Sequence, residues 1–390
     1  MPKSPFLTYL TSAPFPLQKA SNVQMMQMGS AFAACGVPVY LFGRVGTPQL
    51  TEKALLAYYA VHTPFHIHLE AMPQIRWGAR WFQLRLAMRA WRAWVAVRPK
   101  HSHWLVYTRG RDALSARIAL ALGAQVVYEV HGRPNSAHEL QVLRLLHRHP
   151  RGRLVGLTAA LVEVYVQEYG FSAERWVVAP DGVDLSRFEP ALSLATAREQ
   201  VGLAQGERWV VYVGGLYAGR GLEELFTAMV GQVANLLVVG GRNEQEIAHW
   251  QALAHEIGLN GVKFTGFVAP SLVPAYLQAA DVLAMPYSRQ TRTASGEDTT
   301  AFMSPLKLYE YMAARRPIVA SDLPALRTLL SHRRNALLAQ PDDSTSLAQA
   351  IRQLLENPVM AQSLARQARI DVQSHTWQAR AAYILDSVAM

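Results

Sequence analysis

The 390 residues hold a single cysteine, Cys35. That excludes an internal disulfide and a cysteine-based zinc cluster, and it suits a reducing compartment. No apolar stretch reaches the ~18 residues a membrane-spanning helix needs. No long apolar run precedes the prolines of MPKSPFLTYLTSAPFP, so no signal peptide is expected and a cytoplasmic location is. There is no Asp-x-Asp pair and no His/Asp/Glu cluster at metal spacing, so no metal or other cofactor is expected. Low-complexity tracts are absent. Acidic residues are scarce in the first half: residues 1–178 carry 20 Lys and Arg against 8 Asp and Glu, and the remainder 18 against 20. All of the net charge of +10 therefore belongs to the first half, which is expected to meet a membrane surface, a nucleic acid or a phosphorylated substrate. With 51% hydrophobic and 17% charged residues, the chain has the composition and length of two globular domains.

What is present is an alternation of strands and helices. Phe6–Leu10 reads as a strand, Thr11–Ala20 as a proline-broken loop, and Ser21 to Gln24 as a capping box opening a helix that Gly36 ends. Val37–Phe42 is the next strand, which begins a doubly wound sheet. The loop at the carboxyl end of the first strand, where such sheets bind ligands, offers Lys19 and Asn22. Trp104–Thr108 and Gln125–Val130 are further strands, the latter followed by His131, Gly132 and Arg133 at the ligand edge of the sheet, with Glu129 just before them. The pattern restarts at Trp209–Val213, whose strand runs into Gly214-Gly215-Leu216-Tyr217-Ala218-Gly219-Arg220-Gly221 and a helix from Leu222. A strand, glycine-rich loop and helix in that order cradle phosphate, although the spacing is not that of a dinucleotide fingerprint.

The stretch Ser304–Asp322, SPLKLYEYMAARRPIVASD, organises the second half. Ser304 suits a helix cap and Pro305 its first position, with Arg315 and Arg316 in the last turn and Ile318-Val319-Ala320 opening a buried strand. The free N–H groups at such a helix start form an anion site, and Lys307 in the first turn adds a cation, with Glu310 one turn on. The polar loop 288–301 that precedes it includes Glu297 and Asp298.

Ser304–Asp322 resembles the nucleotide-sugar signature of retaining glycosyltransferases of family four, which have the GT-B fold. Pro180-Asp181-Gly182-Val183-Asp184 is similar to the hinge of that family, the 214–221 loop to its phosphate loop, and Gly266-Phe267-Val268 to its base-pocket segment. The resemblance implies an α/β chain of two Rossmann-like doubly wound domains facing a central cleft. Residues 1–178 would bind the acceptor and 179–374 the nucleotide diphosphate sugar, with a last helix over 375–390 returning to the first domain. It implies donor contacts from Gly214, Gly215, Arg220, Phe267, Val268, Ser304, Pro305, Leu306, Lys307 and Glu310, with Glu310 on the ribose. It gives catalytic roles to His131 near the sugar and to Arg220 and Lys307 on the leaving diphosphate. Two departures stand out. Phe302 replaces the family's first glutamate, which makes Glu297 or Asp298 candidates for sugar contact, and Gly215 replaces its phosphate-loop arginine.

Arg76–Trp94 admits two readings. Trp77, Trp81, Leu84, Met88, Trp91 and Val95 recur along one helical face, with Arg76, Arg80, Arg85, Arg89 and Arg92 around its sides. The helix either packs on the sheet with snorkelling arginines or lies at an anionic membrane surface. The second reading would bring a glycan, lipid or lipid-linked acceptor to the inner face of the membrane, with Trp77, Trp81, Arg89, Trp91, Lys19, Asn22 and Arg133 as its candidates. A soluble acceptor, or a non-catalytic membrane- or nucleic-acid-binding scaffold on the same fold, is the alternative. Aromatic platforms for RNA are missing, so no nucleic-acid partner is expected.

Overall fold

A computed structural model of the protein describes residues 4–291 and 298–389. The chain divides into two compact units, Met1–Asp181 with Trp377–Met390, and Gly182–Thr376.

The first unit is built on seven parallel strands, β1 (Phe6–Phe15), β2 (Val39–Val45), β3 (His66–Glu70), β4 (Trp104–Arg109), β5 (Gln125–Val130), β6 (Gly152–Gly156) and β7 (Trp176–Val178), ordered β3-β2-β1-β4-β5-β6-β7. Central strands such as β4 and β5 read as near-continuous apolar runs because helices cover both faces of the sheet, and Val106, Tyr107, Val126 and Val127 are fully buried. The order reverses between β1 and β4, so the ligand crevice of this topology lies at their carboxyl ends. β1 is longer than its sequence suggests. It continues through the expected loop to Phe15, with a register shift between Leu10 and Pro14 that accommodates the prolines beside β2. β3, HIHLE, is an edge strand with no buried residue, which is why it has no hydrophobic signature.

The following helix, Ala20–Ala34, starts after Lys19, which caps it without a side-chain bond. The expected capping box at Ser21 and Gln24 does not form, because Gln24 is buried and its amide is directed to Glu129, 2.5 Å away. The helix Gly78–Val97 packs through Phe82, Leu86, Ala87 and Ala90. This corrects the first reading of the tryptophan stripe as the packing face: Trp77 and Trp81 stay 51% and 54% exposed. The terminal helix Trp377–Val388 belongs to the first unit and packs on Ala20–Ala34.

The second unit repeats the plan with six parallel strands, β8 (Trp209–Val213), β9 (Asn235–Val239), β10 (Val262–Gly266), β11 (Val282–Met285), β12 (Ile318–Ser321) and β13 (Leu337–Ala339), ordered β10-β9-β8-β11-β12-β13. Its switch point is β8/β11. The organising helix spans Leu306–Ala313, so Pro305 is its cap and Ser304 lies outside it, its Oγ 3.4 Å from the Tyr309 hydroxyl. Arg315 and Arg316 lie past its end: Arg315 takes φ of 60° and pairs with Glu189, and Arg316 donates to the Gln278 carbonyl. No helix among the described residues is long and apolar enough to cross a membrane.

Candidate functional site

Each unit concentrates polar groups at the carboxyl ends of its central strands. In the second unit the glycine-rich loop leaves β8 and turns back against the end of β11. Gly221 is obligatory at this turn: it has φ of 67°, and a Cβ there would stand 1.5 Å from the Pro286 carbonyl oxygen. A Cβ at Gly215 would stand 2.2 Å from the Tyr217 ring, which gives a local reason for glycine where the family has arginine. Tyr217 comes from the loop and Tyr287 follows β11. Between them lies the Arg220 guanidinium, 4.7 Å and 4.5 Å from the two ring centroids, and it donates to the Tyr217 hydroxyl at 2.8 Å. Stacked this way, a guanidinium keeps its charge and its orientation.

The helix Leu306–Ala313 is fixed to the same switch point by Tyr311. Its hydroxyl accepts the N–H of Val213, the last residue of β8, at 2.7 Å and lies 3.3 Å from the carbonyl of Ala284 in β11. One turn of this helix presents Lys307, whose Nζ donates to Glu310 Oε2 at 2.6 Å. Glu310 Oε1 accepts from Arg187 at 3.1 Å, and Arg187 also donates to the Pro270 carbonyl beyond the Phe267-Val268 segment. Burial opposes ionisation of Glu310, but Lys307 and Arg187 outweigh it and hold the carboxyl below its ordinary range. Lys307 and Glu310 are thus one ion cluster, completed by Arg187. Nothing in the spacing of the sequence singled out Arg187, because it lies 123 residues away on the 3-10 turn Leu185–Phe188. Phe267 is exposed and Val268 packs partly on the core. Phe302 is buried. Asp298 is exposed and its Oδ1 accepts from the Thr300 hydroxyl and N–H at 2.7 and 3.0 Å, while Glu297 lies outside the described residues.

In the first unit, His131 follows β5 and bonds through Nε2 to the carboxylate of Glu129. Glu129 is fully buried and also takes Gln24, Tyr107 and Arg380. Burial, with the charge of Arg109, pushes the His131 imidazole down to about 4, so it is neutral at pH 7. Nearby, Asp112 accepts from the Ser12 N–H and hydroxyl, and burial raises its carboxyl to about 6. The Asn22 amide donates to the Pro14 carbonyl at 2.8 Å, so this residue ties the helix start to the end of β1, while Lys19 is exposed. Arg133 pairs with Glu168 at 2.5 Å. At the start of the Gly78–Val97 helix, Arg76 and Arg80 lie over the exposed Trp77 ring at 5.5 and 4.8 Å, whereas Arg85 and Arg89, further along it, pair with Glu70. Trp91 is half-buried. Among the described residues no three His, Cys, Asp or Glu side chains gather where they could hold a metal ion.

Residues 207–357 match the family model described as Glycosyl transferases group 1. A D-inositol 3-phosphate glycosyltransferase of Nocardia farcinica is 28% identical over 247 residues, which is 60% of this chain. The match spans about half (52%) of that relative's length. Among solved structures, Anabaena Alr3699/HepE in complex with UDP-glucose superposes with a TM-score of 0.74 over 98% of this chain and 99% of that one, at 18% identity. WaaG, a glycosyltransferase involved in lipopolysaccharide biosynthesis, superposes with a TM-score of 0.67 over 98% and 99% of the two chains, at 14% identity.

Proposed function

We propose that the chain, which resembles the group 1 glycosyltransferases in sequence and GT-B glycosyltransferases in fold, moves a sugar from a nucleoside diphosphate sugar to an acceptor with retention of configuration and without a metal. The observation that carries this reading is the β8/β11 switch point. A phosphate-type loop, a stacked arginine and a helix start bearing Lys307 are all built there by independent elements of the second unit. Arg220, Lys307 and the N–H groups after Ser304 and Pro305 neutralise the diphosphate as it leaves. Gly214 and Gly215 let the backbone approach it. Glu310 takes the ribose hydroxyls, since a carboxylate already holding two cations still has acceptor sites. Glu297 or Asp298 supplies the sugar contact that Phe302 cannot make. The leaving phosphate takes the acceptor proton on the face from which the sugar departs, and His131 contributes a neutral imidazole to the transferred sugar.

The first unit takes the acceptor, and its excess of cations favours a lipid or lipid-linked glycan at the cytoplasmic face of an anionic membrane. The exposed Trp77 and Trp81, with Arg76 and Arg80 over the Trp77 ring, favour the interfacial reading of the Gly78–Val97 helix.

The test is release of nucleoside diphosphate from a panel of sugar donors. Arg220→Ala and Lys307→Ala should each lose roughly 1.5–3 kcal/mol of transition-state stabilisation. No release from any donor would favour the non-catalytic scaffold, and unchanged turnover in both folded variants would rule out the assignment of Arg220 and Lys307 to the diphosphate. Co-sedimentation with anionic vesicles tests the membrane part. Wild type should pellet, less so at high salt, and Trp77→Ala/Trp81→Ala/Arg80→Glu should not. Equal pelleting would leave a transferase with a soluble acceptor.

A further inference from the structure

Glu129 is a buried carboxylate with four donors brought from four places in the chain. Gln24 comes from the helix after β1, Tyr107 from β4, His131 from the end of β5 and Arg380 from the terminal helix. Arg380 is itself immobilised. Its Nε lies 3.1 and 2.9 Å from the carbonyls of Ala179 and Pro180, its Nη2 3.0 Å from the former, and its Nη1 3.1 Å from Glu129. Burying such a cluster costs desolvation that the ion pair only partly offsets, so stability alone is a poor reason for it.

We infer that Arg380, acting through Glu129, is a positioning residue for His131: the pair fixes the imidazole as its neutral tautomer protonated on Nε2 and leaves Nδ1 as an acceptor. An ionised carboxylate only accepts, so the ring nitrogen bonded to Glu129 must carry the proton. Burial would raise the Glu129 carboxyl, but Arg380 and the other cations hold it well below the usual carboxylate range, and it stays ionised. Burial and the charges of Arg109 and Arg380 oppose a second proton on His131, and Glu129 favours one. The other groups facing the cluster are Tyr9 from β1, Tyr107 from β4, Gln24, and Asp181 after β7. Arg380 therefore has two effects. It keeps Glu129 charged, which selects the tautomer, and it offsets the charge of Glu129, which keeps the ring from becoming an imidazolium. A residue near the end of the chain thus sets the protonation state of a residue at the end of β5. What Nδ1 accepts, a hydroxyl of the sugar or acceptor, rests on the functional reading above. The tautomer does not.

The experiment is long-range ¹H–¹⁵N NMR of the full chain with labelled histidine, the His131 ring being assigned by its loss in His131→Gln. The wild-type ring should show protonated Nε2 and bare Nδ1 at pH 7, and should not titrate until well below pH 6. Arg380→Met should raise its titration midpoint by a unit or more, and Arg380→Lys should restore part of the shift. In Glu129→Gln the midpoint should stay low while the two tautomers mix, since an amide can donate or accept. A wild-type ring protonated on Nδ1, or doubly protonated at pH 7, overturns the inference whether or not any variant folds. A folded Arg380→Met that titrates like wild type removes Arg380 from it. These spectra need no substrate. The Nε2–H tautomer in a protein that transfers no sugar would reject the functional reading alone, and the wrong tautomer in an active transferase would reject this inference alone.

Discussion

The two units share a sheet topology and both bury a glutamate near the carboxyl ends of their strands, yet they use it differently. In the second unit Glu310 is held by Arg187 and by Lys307, whose side chain is 29% exposed, so one cation of the cluster faces solvent. In the first unit Glu129 and Arg380 are both shut away, with side-chain exposures of 0% and 3%, and the group left at the surface is an uncharged imidazole. One crevice leaves a cation facing solvent. The other spends its charges internally and presents a neutral ring. Shared topology decides where a crevice forms, and the side chains around it decide its chemistry.

The sharpest way to break this comparison is to remove Arg380. Arg380→Met leaves Glu129 buried without its main counter-charge, and urea unfolding at pH 7 should show a loss of about 3–5 kcal/mol. A loss near zero would mean that the first unit does not depend on its internal ion pair.

The glutamate of the second unit should matter less. Glu310→Gln leaves Lys307 and Arg187 without their anion, at a cost of about 1–3 kcal/mol. Because the folded-state carboxyl is depressed, its contribution is present above the unfolded pKa of about 4.3 and is lost as pH falls through the folded value. The gap between wild type and variant should therefore shrink on acidification below about pH 4. Asp181 in the first unit should behave oppositely. Burial raises its carboxyl to about 7, so the folded state holds the proton more tightly, and stability falls as pH rises from about 4 to about 7. Asp181→Asn should thus improve relative to wild type between pH 5 and pH 8, as read by unfolding at the two values. Parallel pH behaviour of the two variants would erase the distinction between the units.

The smallest effect is expected on the outward face of the Gly78–Val97 helix. Trp81→Ala should change stability by no more than about 0.5 kcal/mol, because the ring is 54% exposed. Phe82→Ala, one residue on and fully buried, should cost about 3–5 kcal/mol. Thermal unfolding of the two variants is the check, and a large loss in Trp81→Ala would return the tryptophans to a packing role.

Much of this was legible in the chain as written. The buried strands Gln125–Val130 and Trp209–Val213 are short apolar runs bounded by turns, and the loop from Gly214 to Gly221 announces itself by its glycines. Lys307 and Glu310 are three residues apart on one helix, so their meeting follows from helical geometry. Helix ends were less legible. Ser304 and Ser21 have the chemistry of caps, but neither is used as one. Edge strand β3 was silent because nothing on it is buried.

What the sequence by itself determined is therefore local: the alternation of strand and helix, the glycine-rich turn after β8, and the helical spacing that joins Lys307 to Glu310. Each depends on backbone preference or on a period of a few residues. Only the tertiary structure decided that Glu129 would gather partners from positions 24, 107, 131 and 380, and that Arg187 would complete the Glu310 cluster. It also decided which apolar face of Gly78–Val97 is covered, since Phe82, Leu86 and Ala90 and the tryptophan stripe both satisfy helical periodicity. Periodicity assigns residues to a face. Which face meets the sheet, and which distant charges meet each other, depends on how the strands are ordered, and that is settled by packing over separations of a hundred residues or more.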